Sequence, residues 1–328
     1  MDRFALIGAA GYIAPRHMKA IRDTGNQLTC ALDPHDSVGI LDQYFPDADF
    51  FTEFERFDRH VDKLAGKEAI DYVSVCSPNY LHDAHVRWAL RSGSDAICEK
   101  PLVLNPWNVD ALEQFEQQSG KKVWTIQQLR LHPEVLKLHH TLNPQPPKPP
   151  NPPQPPKPFP KPSSNPPKLY KHKVSLTYIT PRGTWYHYSW KGNISKSGGI
   201  ATNIGIHFFD LLIWLFGDVV KSKVITIQED KAKGELELRN ADVEWFLSID
   251  QNDLEGKGNV EKRKSDQTIK SNSYRSLVID GHEIDLSSGF TDLHTKSYEE
   301  ILAGRGFGIS EARKAIELVH DIRQKSGL

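Results

Sequence analysis

The residues with chemistry to offer fall in stretches far apart along the chain. The first is Ala96-Ile97-Cys98-Glu99-Lys100-Pro101, an apolar run that breaks into an acid, a lysine and a proline. Strand tips in an open α/β sheet are where ligands bind, and a lysine there can move protons because its pKa shifts readily on desolvation. The proline ends the ladder and biases Lys100 toward an extended backbone. A surface Glu-Lys pair closing a strand is the plain alternative for so short a motif. The second stretch runs from Ser197-Gly198-Gly199 to Asp210 and leads into an apolar helix. Asn203 and His207 are four apart and share a helix face, with Asp210 three further on. Polar groups on so hydrophobic an element must be hydrogen-bonded or functional. A third stretch, Thr180 to Lys191, holds Arg182, Trp185, Tyr186, Tyr188, Trp190 and Lys191. Aromatic faces and a guanidinium suit a base and a pyrophosphate, and suit an oligomer interface equally well.

The elements that position these groups begin with Phe4-Ala5-Leu6-Ile7, a glycine turn from Gly8 to Ala14, and a helical pattern from about Arg16. Gly8 permits a tight turn, and Gly11 lets a pyrophosphate approach backbone N–H groups at a helix N-terminus. The spacing is G-x-x-G-x-x-A, an imperfect form of the dinucleotide fingerprint. A second strand, Leu28 to Leu32, ends in Asp33, 25 residues after Gly8. An acid there accepts hydrogen bonds from adenosine ribose hydroxyls and repels a 2′-phosphate, which favours NAD over NADP. Ala69 to Cys76 reads as a further buried strand, tipped by Ser77-Pro78-Asn79 and followed by His82 and His85 on a helix. Val123 to Gln128 ends another in amides. The repeated rhythm of strand, polar tip and helix predicts an α/β class with a doubly wound parallel sheet of the Rossmann type.

Composition narrows the function classes. A length of 328 residues suggests two domains. Charged residues make up 25%, the net charge is −1 and the pI about 6.9, so no global field draws the chain to nucleic acid or a membrane surface. Met1-Asp2-Arg3 runs straight into a strand-like segment with no secretory core, and Cys30, Cys76 and Cys98 sit in apolar contexts without metal spacing. A cytoplasmic protein with reduced, buried thiols and no metal is expected.

The pattern changes after residue 128. Asn143 to Pro167 carries fourteen of the twenty-two prolines and is read as a passive insertion prone to polyproline II. Beyond it, Lys173 to Ile179, Val224 to Ile227, Gly234 to Leu238 and Val243 to Ile249 alternate as strands, and Ser276 to Ile284 reads as a hairpin turning at Asp280-Gly281. These predict an open antiparallel sheet in a C-terminal α+β domain. Glu255 to Ser273 is a lysine-rich loop, and Ser310 to Arg323 an amphipathic helix with Ser310 as N-cap. The division expected is 1–128 for nucleotide and 129–328 for substrate and oligomer contacts, with the proline-rich insertion at 143–167.

Glu99-Lys100-Pro101 together with the glycine-rich segment ending in His207 and Asp210 resembles the Gfo/Idh/MocA oxidoreductase family. Phe4 to His17, Cys76 to His82, Thr177 to Lys191, Ala201 to His207 and Phe290 to Gly304 are most similar to one subgroup, the UDP-N-acetylglucosaminuronate 3-dehydrogenases of bacterial O-antigen synthesis. The resemblance implies that Lys100 and His207 are catalytic and that the Lys100–Pro101 bond is cis. It also implies NAD contacts at Gly11, Tyr12, Ile13, Asp33, Ser77, Asn79, His82 and Glu99, joined from the local pattern by Gly8 and Gln128. Arg16, Arg130, Arg182, Trp185, Tyr186 and Asn203 are candidates for a UDP-sugar. Asn203 stands where the broader family has Asp. A homo-oligomer, a tetramer by resemblance, is implied as well. Open alternatives are a dehydrogenase of a free sugar or inositol, and a sensor that holds NAD and ligand without turnover.

Overall fold

The computed structural model describes residues 1–64, 66–143, 171–255, 261–262, 272–286 and 292–325. The proline-rich tract, apart from Asn143, and most of the lysine-rich loop lie outside them. Six strands form the first sheet: β1 (Arg3–Ile7), β2 (Gln27–Leu32), β3 (Asp49–Phe51), β4 (Tyr72–Val75), β5 (Asp95–Cys98) and β6 (Val123–Thr125). Every pairing is parallel and the order is β3-β2-β1-β4-β5-β6. Parallel strands need helical crossovers that cover both faces, which is why β1, β4 and β5 are almost wholly apolar and buried. The order reverses between β1 and β4, so the crevice for a ligand opens beyond their carboxyl ends. Gly8 ends β1 there with φ +93°, and a Cβ on it would lie 2.6 Å from the carbonyl carbon of Cys76 at the tip of β4. Only glycine fits that approach. The helix α1 (Ala14–Asp23) follows the turn, and α2 (His82–Arg91) follows β4. All three cysteines are buried and free.

The second sheet contains β7 (His172–Ile179), β8 (Val219–Ile227), β9 (Lys231–Leu238), β10 (Ala241–Ser248), β11 (Glu261–Lys262) and β12 (Asn272–Ile279), with β13 (His282–Glu283) paired to β12. Its order is β11-β12-β7-β10-β9-β8. The strands predicted from alternation are all present, and the hairpin turns at Asp280 and Gly281, both at positive φ. One expectation needs correction: β7 and β10 run parallel in an otherwise antiparallel sheet. A parallel neighbour requires a long crossover. Residues 180–218 begin that crossover, and they include α3 (Ile206–Phe216), laid against the sheet's buried face. Phe209 on α3 meets Trp245 on β10 edge-on at 5.2 Å, and Gly234 opposite leaves room for the indole, where a Cβ would come within 2.5 Å. The stretch 194–216 is apolar and long enough to cross a membrane, but it is mostly buried inside the molecule as a core element.

The chain then returns to the first sheet. Helix α4 (Leu293–Leu302) packs along α1, and Tyr298 on it stacks on Phe4 of β1 at 5.8 Å. Thr125 of β6 bridges to Phe307. Helix α5 (Ile309–Lys325) closes against α3. It starts one residue earlier than Ser310, which lies in the first turn and donates to Glu311, whose carboxylate accepts the Gly308 N–H.

Candidate active site

A cleft of about 780 Å³ opens where the tips of β1, β4 and β5 face the crossover of the second sheet. Gly8, Gly11, Tyr12, Ile13, Asp33, Ser77, Asn79, His82, Glu99 and Gln128 line one side, with Lys100 and His207 on the floor. Arg16, Arg182, Trp185, Tyr186 and Asn203 line it as well. The Lys100–Pro101 bond is cis.

The nucleotide side is built from backbone polarity. The Ala10 N–H donates to Asp33 Oδ2 at 2.9 Å, and the His35 N–H to Oδ1 at 2.9 Å, so the carboxylate is fixed at the tip of β2. Gly8 and Ala9 donate to Leu32 O, and Gly11 to Gly8 O. Among the described residues the N–H groups of Tyr12 and Ile13 have no such acceptor, which leaves two donors at the start of α1, where a helix favours an anion. The Gln128 Oε1 is buried without a hydrogen-bond partner, an acceptor that a carboxamide N–H of nicotinamide would satisfy. Phe54 stacks on His85 at 5.7 Å, adding a flat apolar wall. These features fit a dinucleotide.

On the floor, Lys100 Nζ donates to the backbone carbonyl of Asn203 at 3.0 Å. Burial lowers the Lys100 pKa; Glu99 and Tyr178 oppose that, and Arg182 adds to it. Burial drives His207 well below the ordinary imidazole value, and the Lys100 charge pushes the same way, so the ring is neutral near pH 7. The segment Ala201–Gly205 is π-helical and passes into α3 at Ile206. That wider turn brings Asn203 O to the lysine while His207 still faces the cleft. The Asn203 amide donates to Tyr186 Oη at 2.8 Å, and Asn79 Nδ2 donates to Ser197 O at 3.0 Å. Tyr186 is thus a buried prop, while Trp185 is 55% exposed at the mouth.

Several sequence expectations change. Arg130 is no substrate ligand: it is buried, with Nε donating to Asp210 Oδ2 at 2.8 Å and Nη2 to Oδ1 at 2.5 Å. The same pairing commits the Asp210 carboxylate, both of whose oxygens accept from Arg130. The His82 ring is spent on backbone, with Nδ1 against Pro101 O at 2.6 Å and Nε2 against Ser77 O at 2.8 Å. It joins the tips of β4 and β5 and has no ring nitrogen left for a cofactor. The Glu99 Oε1 accepts from two histidines and Oε2 from the Lys100 N–H, so one lone pair of Oε2 remains. The sequence reading named Lys191 in the stretch 180–191 without giving it a role, and it missed Arg275 as a cleft cation. Lys191 lies 5.0 Å from the Trp185 ring centroid, and burial with nearby Arg182 and Lys100 lowers its pKa to about 8.

Known proteins align with this architecture. Residues 3–127 match the oxidoreductase family model for an NAD-binding Rossmann fold, and residues 168–324 the model for that family's C-terminal alpha/beta domain. The WlbA (WbpB) dehydrogenase of Thermus thermophilus, solved with NAD and UDP-GlcNAcA, is 43% identical, with a TM-score of 0.84 over 98% of this chain and 95% of that one. The WlbA dehydrogenase of Bordetella pertussis shares the fold at 16% identity, with a TM-score of 0.73 over 99% and 95% of the two chains. Among curated sequences, 2,7-anhydro-N-acetylneuraminate hydratase of Mediterraneibacter gnavus is 28% identical over 36% of this chain and 29% of its own length. 1,5-Anhydro-D-fructose reductase of Ensifer adhaerens is 27% identical over 40% and 37%. The matches thus span only about a third of these curated relatives. With both halves matched and a lysine and a histidine on the floor of a nucleotide crevice, the chain belongs to the Gfo/Idh/MocA family of NAD-dependent oxidoreductases.

Proposed function

We propose that this enzyme oxidises the C3 hydroxyl of UDP-N-acetylglucosaminuronic acid to a ketone, with NAD as cofactor, in the cytoplasmic synthesis of a bacterial surface sugar. The observation that carries the reading is the pairing of Lys100 and His207 in a cleft with an NAD-suited wall on one side and Arg182, Trp185 and Lys191 on the other. Support comes from the 43% identical dehydrogenase that binds both NAD and UDP-GlcNAcA. Residues 1–128 would hold the cofactor and 129–328 the sugar, with α4 shared between them.

NAD⁺, when bound, supplies the acceptor for the hydrogen and electron pair that leave C3. The Tyr12 and Ile13 N–H groups would hold its pyrophosphate, Asp33 its adenosine ribose and Gln128 its carboxamide. The hydroxyl proton remains for the protein. His207 is neutral, and the lowered pKa of Lys100 brings its free amine closer to reach; one takes the proton while the other orients the oxygen. Arg182 and Lys191 offer the positive charge that a diphosphate and a uronate need. Trp185 offers a face for the uracil.

The test is formation of reduced nicotinamide from UDP-GlcNAcA, compared with UDP-GlcNAc, free GlcNAc and myo-inositol. Turnover is expected with UDP-GlcNAcA, and deuterium placed at C3 should appear in the reduced cofactor. UDP-GlcNAc lacks the carboxylate and would leave a half-buried cation unpaired, so its kcat/KM is expected to be about 10–10²-fold lower. Equal rates on the uncharged sugar, or transfer from C4, would overturn the substrate assignment. Asp33, held rigidly by two N–H donors, is also expected to favour NAD over NADP by about tenfold or more, some 1.4 kcal/mol. Comparable kcat/KM values for the two cofactors would refute that role.

A further inference from the structure

We propose that His17, His294 and Tyr298 are positioning residues for Lys100, acting through Glu99. His17 Nε2 and His294 Nε2 both lie 3.0 Å from Glu99 Oε1, and the Lys100 N–H donates to Oε2 at 3.1 Å. Tyr298 Oη stands 2.7 Å from His17 Nδ1 and 2.6 Å from Ser74 Oγ. All five side chains in this network, Ser74 and Glu99 included, are buried. They come from four elements: α1, β4, the tip of β5, and α4.

The proton positions follow from the donors gathered around the Glu99 oxygens. Burial disfavours a charge on Glu99, but the two imidazole N–H groups outweigh it and hold the carboxyl well below its usual range. An ionised carboxylate only accepts, so both Nε2 atoms carry hydrogen. A His17 ring whose one proton sits on Nε2 accepts at Nδ1, which makes Tyr298 the donor to it and Ser74 the donor to Tyr298. The chain is polarised in one direction, from β4 through α4 and α1 to the residue beside the lysine. Removing a member leaves a buried lone pair or N–H without a partner. What the chain fixes is the backbone at Lys100, and with it the reach of Nζ to Asn203 O. Lys100 is the residue on which the proposed proton transfer depends, so the inference rests on that reading.

His294→Ala is expected to lower kcat by about 10–10²-fold, with KM for the sugar and Kd for NAD within about twofold of wild type. His294→Gln keeps an N–H donor and should recover most of the loss. A general packing defect would not be rescued by a polar side chain. Tyr298→Phe, which keeps the ring on Phe4, should repeat the kcat loss should the alanine variant fold poorly. A changed KM at constant kcat, or no rescue by glutamine, would overturn the proposal. So would a divalent cation bound at stoichiometric amount by His17, Glu99 and His294, whose ligand atoms lie within 4.8 Å of one another. A structural readout is independent of substrate: a crystal structure of His294→Ala with the Lys100 backbone and its Nζ bond to Asn203 O unmoved would also overturn it. If wild type oxidises a sugar other than UDP-GlcNAcA, the kcat and KM comparison is made on that sugar, and the substrate reading alone fails.

Discussion

Replacing Lys100 with methionine is expected to lower kcat by about 10²–10⁴-fold, the usual effect of deleting a positioned acid–base group. Methionine keeps most of the apolar stem, so what disappears is the amine and its bond to Asn203 O. NAD affinity should hardly change, because Tyr12, Ile13, Asp33 and Gln128 lie on other strand tips. The pH profile adds a second signature. A lysine that must lose its proton gives kcat/KM a limb that rises with pH, with a midpoint below the ordinary value of 10.5 since burial lowers this group. That limb should vanish in Lys100→Met. Near-normal turnover would move the base to His207, and His207→Asn would then carry the large loss. Isothermal titration with NAD, beside single-turnover rates, separates the two roles.

The other large effect is on stability. Arg130→Met should destabilise the protein by about 3–5 kcal/mol, because Asp210 would be left as a buried charge without its partner. Burial pushes the Asp210 carboxyl up, against the pull of Arg130, and without the guanidinium that pull is gone. Loss of the Phe307 face, 5.0 Å from the guanidinium carbon, adds to the cost. A drop in midpoint of roughly 4–7 °C in thermal unfolding would be the readout. The double variant Arg130→Met with Asp210→Leu should recover much of it, since a buried pair exchanged for apolar groups is often neutral. A lone rise in KM for the sugar, with unchanged melting, would instead return Arg130 to the substrate side.

How much of this was legible in the sequence depended on the range of the interaction. Gly8, Asp33 and Lys100 were readable because each sits a fixed number of residues from an apolar strand, and the parallel sheet puts strand tips together. His207 was readable through its i, i+4 relation to Asn203, although the π-helical turn at 201–205 altered which atom of Asn203 does the bonding. The pairing of Arg130 with Asp210 joins residues 80 apart, and nothing local distinguishes an arginine that meets a carboxylate from one that meets a phosphate. His17 and His294 are 277 positions apart, and only the fold brings them to one oxygen of Glu99. The parallel pair of β7 and β10 escaped for a related reason. Alternation reports which face is buried but carries no information on strand direction.

The seating of Tyr298 against Phe4 and Ser74 also bears on how the chain is made. Synthesis runs from the N-terminus, and domains generally fold as units as they emerge. Here the first sheet leaves the ribosome early with a hole in it: Phe4 has Tyr72 against it at 5.0 Å but lacks Tyr298, and His17 and Ser74 lack their hydroxyl. The nucleotide half therefore completes its interior only after residue 302 is out. A chain that builds two sheets is, in the order of its own birth, indivisible.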